Sequence, residues 1–314
     1  MLAVWPSPGL PGRCAVLAAL GAALRPRLCG LPVCRPPRRG LGQELWQRPE
    51  SRLPLRLPEA AEVTRLVQLR ARPAPQLRRF IACPDLARTV VASLNVGPAC
   101  GPEPVVLECE PGPGVLTRTL LNAGARVVAL ESDSAFLPDL QFLENNLHGQ
   151  LEVVHCDFFR LDPLGCGSMK PPAMYSEKLF ENLGIMAVPW TADVPVKVVG
   201  FLPQKRERNA LWKLIIFMYE RSSIYRYGRI ELNLFISEKE YKVLTAKPGA
   251  LRSYQALSVL WQTGFEIQLL HTEPWSSFVT NSKSGGLAIP KSAVRPTPLD
   301  SFFSDAVKQF RLRI

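Results

Sequence analysis

The stretch Glu108-Cys-Glu-Pro-Gly112-Pro-Gly114-Val-Leu-Thr117 decides the fold that this sequence predicts. It lies at the end of a short apolar run typical of a buried strand, and it opens a segment with helical spacing. Two glycines in such a turn let the backbone approach a bound cofactor, and the start of the helix offers free amide donors. Because no Gly-Lys-Ser/Thr string follows, the turn disfavours a P-loop for a nucleoside triphosphate.

Predicted strands and helices alternate on both sides of this turn. The segments with helical spacing of apolar residues are 84–95, 114–123, 134–147, 209–222 and 251–262. The segments that read as extended are 105–108, 126–131, 151–155, 196–201, 230–236, 266–270 and 277–280. This alternation predicts an α/β fold with a parallel, doubly wound sheet of Rossmann type.

Two carboxylates follow the next predicted strands. Glu131 lies 17 residues after Gly114, close to the position where doubly wound folds place an acid on the ribose hydroxyls. Asp157, in His155-Cys-Asp157-Phe-Phe, can accept a hydrogen bond from an exocyclic amine such as adenine N6. A surface or capping carboxylate at Glu131 and an N-cap at Asp157 are the structural alternatives. Together with the glycine turn, the two acids predict a ligand site at the carboxyl edge of the sheet.

The charge of the chain is distributed unevenly. The formal net charge is +11, but residues 101–200 carry −7, between flanks that carry +10 before them and +8 after them. Basic flanks favour a polyanionic partner such as nucleic acid, and an acidic middle favours a cationic cofactor. Surface variation together with a basic targeting peptide explains the same numbers.

The N-terminal segment has the composition of a targeting peptide. Residues 1–43 contain six Arg and no Asp or Glu, which predicts a mitochondrial transit peptide. The apolar run 14–24 leaves a secretory signal as the alternative, but it is shorter than the roughly 20 residues that span a bilayer. No other stretch of the sequence is long and apolar enough for a membrane span. Residues 44–75, rich in Pro and Arg, read as a linker or arm.

The cysteines and histidines show no metal or disulfide pattern. The eight Cys are scattered without a Cys-x-x-Cys pair, and the three His lie far apart without His-Glu-x-x-His spacing. We therefore predict that these residues are structural and that the chain has no metal site.

Several strings resemble the rRNA adenine N6-dimethyltransferase family. They are the glycine turn with its leading Glu108, Ala129-Leu-Glu-Ser-Asp133, and His155-Cys-Asp-Phe. Arg78-Arg79-Phe80-Ile81 stands where that family has Gln-Asn-Phe-Leu. The resemblance covers residues 76–280 and implies a Rossmann-like class I S-adenosylmethionine-dependent methyltransferase fold. It implies that the cofactor pocket is formed by Ile81, Glu108, Gly112, Gly114, Glu131 and Asp157.

The amino-acid sequences of three further segments resemble the mitochondrial transcription factor B branch of the family. They are 170–174, 180–185 and 188–193. The resemblance implies a monomeric initiation factor in the nucleoid of the mitochondrial matrix, which helps the mitochondrial RNA polymerase to melt promoter DNA. The alternative that it implies is dimethylation of two adjacent adenines in mitochondrial small-subunit rRNA. A third reading is a partly folded isoform without activity.

One departure from the family concerns the motif after the fourth strand, residues 200–203, which we call the catalytic lip. Active members carry Asn-Leu-Pro followed by an aromatic residue, and these groups hold the target amine and stack on the flipped adenine. Here the string is Gly200-Phe201-Leu202-Pro203-Gln204, in which Gly200 replaces the Asn and Gln204 replaces the aromatic residue. Phe201 offers a displaced ring for stacking. Losing oriented contacts to the reacting amine costs a factor on the order of hundreds in rate, so the sequence predicts a better-kept cofactor pocket than catalytic lip.

The last part of the chain does not match the helical domain with which the family continues. We expect that domain to be missing, and we predict an irregular basic tail at 281–314 with a short basic helix at 304–313. Two basic stretches suit contact with a nucleic acid. Residues 205–208 precede a long helix and offer cations for phosphates, and residues 225–229 mix cations with aromatic rings that can stack on bases. A solvated helix start and a loop packed by its tyrosines are the alternatives.

Overall fold

The computed structural model describes residues 53–70, 78–96, 104–147, 149–163, 169–280 and 306–314, so the predicted transit peptide lies outside the described residues. The helices are α1 Ala60–Arg70, α2 Pro84–Ser93, α3 Val115–Asn122, α4 Leu137–Asn145, α5 Ser176–Asn182, α6 Glu207–Glu220, α7 Glu238–Leu244 and α8 Ala256–Gly264. The strands are β1 Arg79–Ile81, β2 Val105–Cys109, β3 Val127–Leu130, β4 Leu151–Val154, β5 Val196–Phe201, β6 Ile230–Ser237, β7 Glu266–Pro274, β8 Phe278–Thr280 and β9 Ala306–Arg313.

Seven strands form one central sheet in the order β4-β3-β2-β5-β6-β9-β7. The first five are parallel, and β9 runs antiparallel to both of its neighbours. The strand order reverses between β2 and β5, and this is the point at which open α/β sheets bind ligands. The predicted α/β fold with a doubly wound sheet is confirmed.

Helices cover both faces of the sheet, which explains the uninterrupted apolar strands. All four residues of β3 are buried, as expected where neither face meets water. One layer of the core packs α5, α6 and α8 against the sheet through buried side chains that include Phe180, Leu211 and Trp261. The other packs α1, α2 and α3, with Val63, Val90 and Leu120 among its buried members.

The segment predicted as a short basic helix at 304–313 is instead the strand β9, inserted between β6 and β7. Val307, Phe310 and Leu312 of this strand are fully buried, so tertiary packing overrides the basic composition of the segment. Residues 281–305, the rest of the predicted tail, lie outside the described residues. Two other segments contain more regular structure than their composition predicts: the arm 44–75 contains α1, and the loop 163–194 contains α5.

A two-stranded sheet beside the main one holds the segment before α2. β1 pairs antiparallel with β8, with Phe80 opposite Val279. This pairing places residues 78–81 over the turn between β2 and α3, where the ring of Phe80 lies against Gly112. The small sheet therefore positions the part of the chain that resembles the family's Gln-Asn-Phe-Leu string.

Across the described residues, no helix is long and apolar enough to cross a membrane. Cys83, Cys109 and Cys156 have free thiols. The same part of the chain holds no cluster of three or more His, Cys, Asp or Glu side chains arranged for a metal ion.

Candidate cofactor site and catalytic lip

The turn between β2 and α3 depends on its two glycines. Gly112 and Gly114 have φ angles of +56° and +75°, a left-handed conformation that disfavours side chains with a Cβ atom. A Cβ at Gly112 would lie 2.3 Å from two ring carbons of Phe80, so the ring already covers this face of the turn. The glycine turn therefore allows a close approach to its backbone, as a cofactor would need. In this structure the ring of Phe80 occupies that position.

Glu131, directly after β3, is fully buried and closes the turn from the side. Its carboxylate accepts the backbone N–H of Gly112 at 2.9 Å and that of Asp133 at 2.7 Å. The predicted juxtaposition of the glycine turn and this acid is therefore present in the structure, and the surface-carboxylate alternative for Glu131 is excluded.

Arg78 enters the same place from the segment before β1. Its Nη2 donates to both carboxylate oxygens of Glu131, at 2.8 and 2.9 Å, and it also forms an ion pair with Glu110. Asp133 lies 3.7 Å from its Nη1. Burial opposes the charge, but attraction by Glu110 and Glu131 outweighs it and raises the pKa of the guanidinium above its ordinary value.

Asp157 is an N-cap, as the structural alternative for this residue predicts, and it also faces a cavity. One oxygen accepts the backbone N–H of Phe159 at 2.9 Å and so caps the short 3₁₀ turn Phe158–Arg160. The side chain also lines a cavity at the carboxyl edge of the sheet. Burial raises the pKa of this carboxyl, and the capping N–H and the charge of Arg160 oppose that shift.

The cavity at this edge is small, with a volume of about 60 Å³. It is lined by Arg78, Arg79, Glu110, Ser132, Asp157, Phe159, Phe201, Leu202, Pro203 and Gln204. Of the six residues predicted for the pocket, only Asp157 lines this cavity. The other five lie outside its lining: Ile81, Glu108, Gly112, Gly114 and Glu131. The sequence interpretation missed Arg78, Glu110 and Ser132, although the Arg at a position where the family has Gln was a visible signal.

Of the predicted lip residues, Phe201, Leu202 and Pro203 line the cavity and Gly200 does not. A Cβ at Gly200 would lie 2.6 Å from Cβ of Cys109, so position 200 points between β2 and β5 and away from the cavity. Phe201 lines the cavity in its place, and its ring stacks on Phe235 with centroids 4.6 Å apart. An edge contact with Phe278, at 5.2 Å, holds the same ring. The residue facing the cavity is therefore a packed phenyl ring without a hydrogen-bond acceptor.

Glu108 gives a prediction about stability and pH. Its side chain is buried, its Oε2 has no hydrogen-bond partner among the described residues, and burial raises the pKa of the carboxyl to about 8. Because the folded state holds the proton more tightly than the unfolded state, stability is full below about pH 4.5 and falls as the pH rises to about 8. We expect this group to remove roughly 3–6 kcal/mol over that window.

Urea unfolding at pH 5 and pH 8.5 checks this expectation. Glu108→Gln keeps the size of the side chain without the ionisation, so its free energy of unfolding should fall much less between the two pH values than that of the wild type. Glu266→Gln, at an exposed position, is the matched control and should follow the wild type. Equal pH dependence of the Glu108→Gln variant and the wild type would show that Glu108 is not protonated in the folded state.

A second, larger cavity adjoins the lip. This basic cleft has a volume of about 810 Å³ and shares Arg79 and Gln204 with the smaller cavity. Its lining is Arg79, Gln204, Lys205, Arg206, Glu207, Arg208, Asn209, Ser237, Glu238, Lys239, Glu240, Trp275 and Thr280. The predicted basic stretch 205–208 lies on this cleft. The guanidinium of Arg79 lies over the Trp275 ring, 3.1 Å from its centroid.

The second basic and aromatic stretch, 225–229, is a packed loop. Tyr225 is fully buried, and the ring of Tyr227 stacks on Phe180 with centroids 4.2 Å apart. These tyrosines are therefore engaged in the core, and the structural alternative for this stretch is the correct one.

Comparison with known proteins assigns the chain to a family. The profile of the ribosomal RNA adenine dimethylase family matches residues 78–298. The chain belongs to this family. Its α/β sheet, with β9 antiparallel between β6 and β7, is the class I methyltransferase fold that the sequence predicts.

The most informative relatives within the family are mitochondrial. The chain is 46% identical over 301 residues to human (Homo sapiens) mitochondrial dimethyladenosine transferase 2, which covers 91% of this chain and 71% of the human protein. It is 52% identical over 212 residues to the bovine (Bos taurus) transferase 2, covering 68% of this chain and 53% of the bovine protein. The bovine transferase 1 is 30% identical over 196 residues, covering 62% and 51%. The chain thus spans between about half and 71% of these relatives.

A solved structure gives a more distant likeness. The dimethyladenosine transferase of Plasmodium falciparum is 14% identical, with a TM-score of 0.43, covering 74% of this chain and 61% of that one.

S-adenosylmethionine is the cofactor of this family. The acids of the site fit it: Glu131, after β3, would hold the ribose hydroxyls, and Asp157, on the cavity, would accept from the adenine amine. When bound, the cofactor supplies the methyl group. The chain's own contribution is to hold it at the carboxyl edge of β2, β3 and β4.

Proposed function

We propose that this chain is a mitochondrial transcription initiation factor, working as a monomer with the mitochondrial RNA polymerase in the nucleoid of the matrix. Its task is to hold promoter DNA during melting. The observation that carries this proposal is the lip: Phe201, packed on Phe235 and Phe278, faces the cavity where a dimethyltransferase needs an acceptor for the target amine. The fold is kept while the group that orients the substrate is replaced.

Gln204 supports the same conclusion. It is exposed and lines both cavities at the position where active relatives have an aromatic residue, so no ring there stacks on a flipped base. A flipped adenine would meet an amide and a phenyl ring that is already packed on two others. Contacts that orient the reacting amine are therefore lost on both sides of Leu202 and Pro203, and methyl transfer should be slow.

The basic cleft supports binding to a nucleic-acid backbone. Lys205 and Arg206 are exposed on its rim, and Arg208 lies beside them. Cations on a rim of this size suit the phosphates of a single strand, which bind through charge without reading the sequence. Resemblance to the mitochondrial transcription factor B branch gives the polymerase as the partner that delivers such a strand.

Promoter-dependent transcription by the mitochondrial RNA polymerase tests the proposal. The chain should stimulate initiation above the level of the polymerase alone. The double variant Lys205→Glu/Arg206→Glu should lose at least ten-fold in affinity for promoter DNA. The slope of its log affinity against log salt concentration should fall by the equivalent of about two phosphate contacts. Lys247→Glu/Arg252→Glu changes the charge equally at exposed positions outside the cleft lining and should keep full activity.

Two outcomes would contradict this function. One is a folded chain that unfolds cooperatively but gives no stimulation above the polymerase alone. The other is equal loss of DNA affinity in the two charge-reversal pairs, which would assign the effect to net charge and not to the cleft. Non-cooperative unfolding of the purified chain would instead favour an inactive, partly folded isoform.

The alternative function is dimethylation of two adjacent adenines in mitochondrial small-subunit rRNA. The contact between Gly112 and Glu131, together with the family assignment, favours it. The reaction would transfer the methyl group from the sulfonium to adenine N6, and the protein would contribute mainly positioning. A methyl-transfer assay on the rRNA hairpin, with Glu131→Ala as the control without a ribose ligand, should show little product above that control.

A further inference from the structure

We infer that Arg78 is a tethered occupant of the chain's own S-adenosylmethionine site, and that the cofactor binds only by displacing it. The guanidinium bridges Glu131 and Glu110, the two acids that close the site after β3 and β2. The guanidinium carbon Cζ of Arg78 lies 5.1 Å from the ring centroid of Phe80 and 5.6 Å from that of Phe136. Its side chain is only 12% exposed. The side chain of Arg78 is therefore buried and packed within the site.

The hydrogen-bonding capacity of Glu131 is already used. Its Oε1 accepts from Arg78 and from the backbone of Asp133, and its Oε2 accepts from Arg78 and from the backbone of Gly112. A carboxylate offers about four acceptor positions, and four donors fill them here. Ribose hydroxyls can therefore bind this acid only after the guanidinium has left.

The remaining space leads to the same conclusion. The cavity between Arg78, Glu110 and Asp157 has a volume of about 60 Å³, whereas pockets for small ligands have volumes of about 300–1,000 Å³. On the other side, the ring of Phe80 covers Gly112. Phe80 follows Arg78 closely in the chain, so a shift of this one segment opens both parts of the site.

The displacement of Arg78 affects both forms of the cofactor. S-adenosylmethionine carries a sulfonium cation, and S-adenosylhomocysteine, the demethylated product, carries a neutral sulfur in its place. When the guanidinium leaves, Glu110, Glu131 and Asp133 lose their counter-charge and become available to the sulfonium. Neither ligand can bind while the guanidinium holds Glu131, so the affinity for both is reduced by the fraction of molecules in which Arg78 is displaced.

Calorimetric titration of the chain with S-adenosylmethionine and with S-adenosylhomocysteine tests this inference. The wild type should bind both ligands weakly, and each variant at Arg78 should gain affinity for both. Arg78→Gln, which restores the residue of the family string, should bind S-adenosylmethionine at least ten-fold more tightly than the wild type. Arg78→Met keeps the packing against Phe80 and Phe136 without the charge, and it should show a gain of the same order.

Arg88→Gln is the matched control, because it removes an exposed arginine on α2 with the same change in net charge. Its affinities should equal those of the wild type. Two results would overturn the inference: affinities of the Arg78 variants equal to those of the wild type for either ligand, or weaker S-adenosylmethionine binding in these variants, which would make Arg78 a ligand of the cofactor. Arg78→Met remains as the test if Arg78→Gln fails to fold, and none of these readouts depends on transcription.

Discussion

Deleting β9 is expected to abolish cooperative unfolding of the whole domain. This strand joins β7 to the rest of the sheet, since β7 pairs with β9 and β9 pairs with β6. Its removal exposes the ladder edges of both neighbours and the core that Val307, Phe310 and Leu312 fill. The milder change Phe310→Ala removes one fully buried ring and should lower the free energy of unfolding by about 3–5 kcal/mol.

Urea unfolding followed by far-UV circular dichroism and tryptophan fluorescence measures both changes. Lys308→Ala is the control on the same strand, because this half-buried side chain contributes a cation–π contact with Tyr241 and should cost less than about 1 kcal/mol. A truncated chain as stable as the full one would show that β9 is not part of the folded sheet.

The second large effect is expected at Glu231 on β6. Its buried carboxylate lies 3.8 Å from Nζ of Lys197, 3.2 Å from Nε of Arg311 and 2.9 Å from Nε of Arg313. Glu231→Gln leaves cations of β5 and β9 buried without their counter-charge, which typically costs about 3–5 kcal/mol. We expect a loss of that order in the free energy of unfolding, measured by urea titration.

A combined variant separates the charge from the packing. Replacing Glu231, Lys197 and Arg311 together by leucine or methionine removes the network without leaving an uncompensated charge, and it should recover most of the stability that Glu231→Gln loses. Additive losses in the triple variant, or a cost below about 1 kcal/mol for Glu231→Gln, would show that these charges do not form one network.

Sequence patterns were sufficient for the central part of the fold. β5 is predicted at its observed bounds, and β2, β3 and α3 are predicted to within one or two residues, because fully buried strands have long apolar runs and Gly or Pro marks their ends. β9 was missed for a physical reason. Its polar residues Gln309 and Arg311 are buried, and their partners Ser93 and Asn233 lie far away in the sequence.

The candidate site was predictable in part for the same reasons. The contact of Gly112 with Glu131 follows from the order of the strand ends, which the alternation of elements already gives. The position of Arg78 beside Glu131 does not follow from that order. It depends on the pairing of β1 with β8, and strands of three residues leave no periodic signal in the sequence. Which of Gly200 and Phe201 faces the cavity depends on the alternation along β5, and the structure places Phe201 there.

The insertion of β9 between β6 and β7 also fixes the order in which the sheet can be completed. β6 ends at Ser237 and β9 begins at Ala306, so 68 residues lie between the end of one strand and the start of its partner. At about 5–20 residues per second, a ribosome needs roughly 3–14 s to deliver them. During that interval β6 is an open edge, and β7 has emerged with its future neighbour not yet synthesised. A nascent chain of this kind offers an unpaired strand to chaperones or to other chains until residue 313 is available.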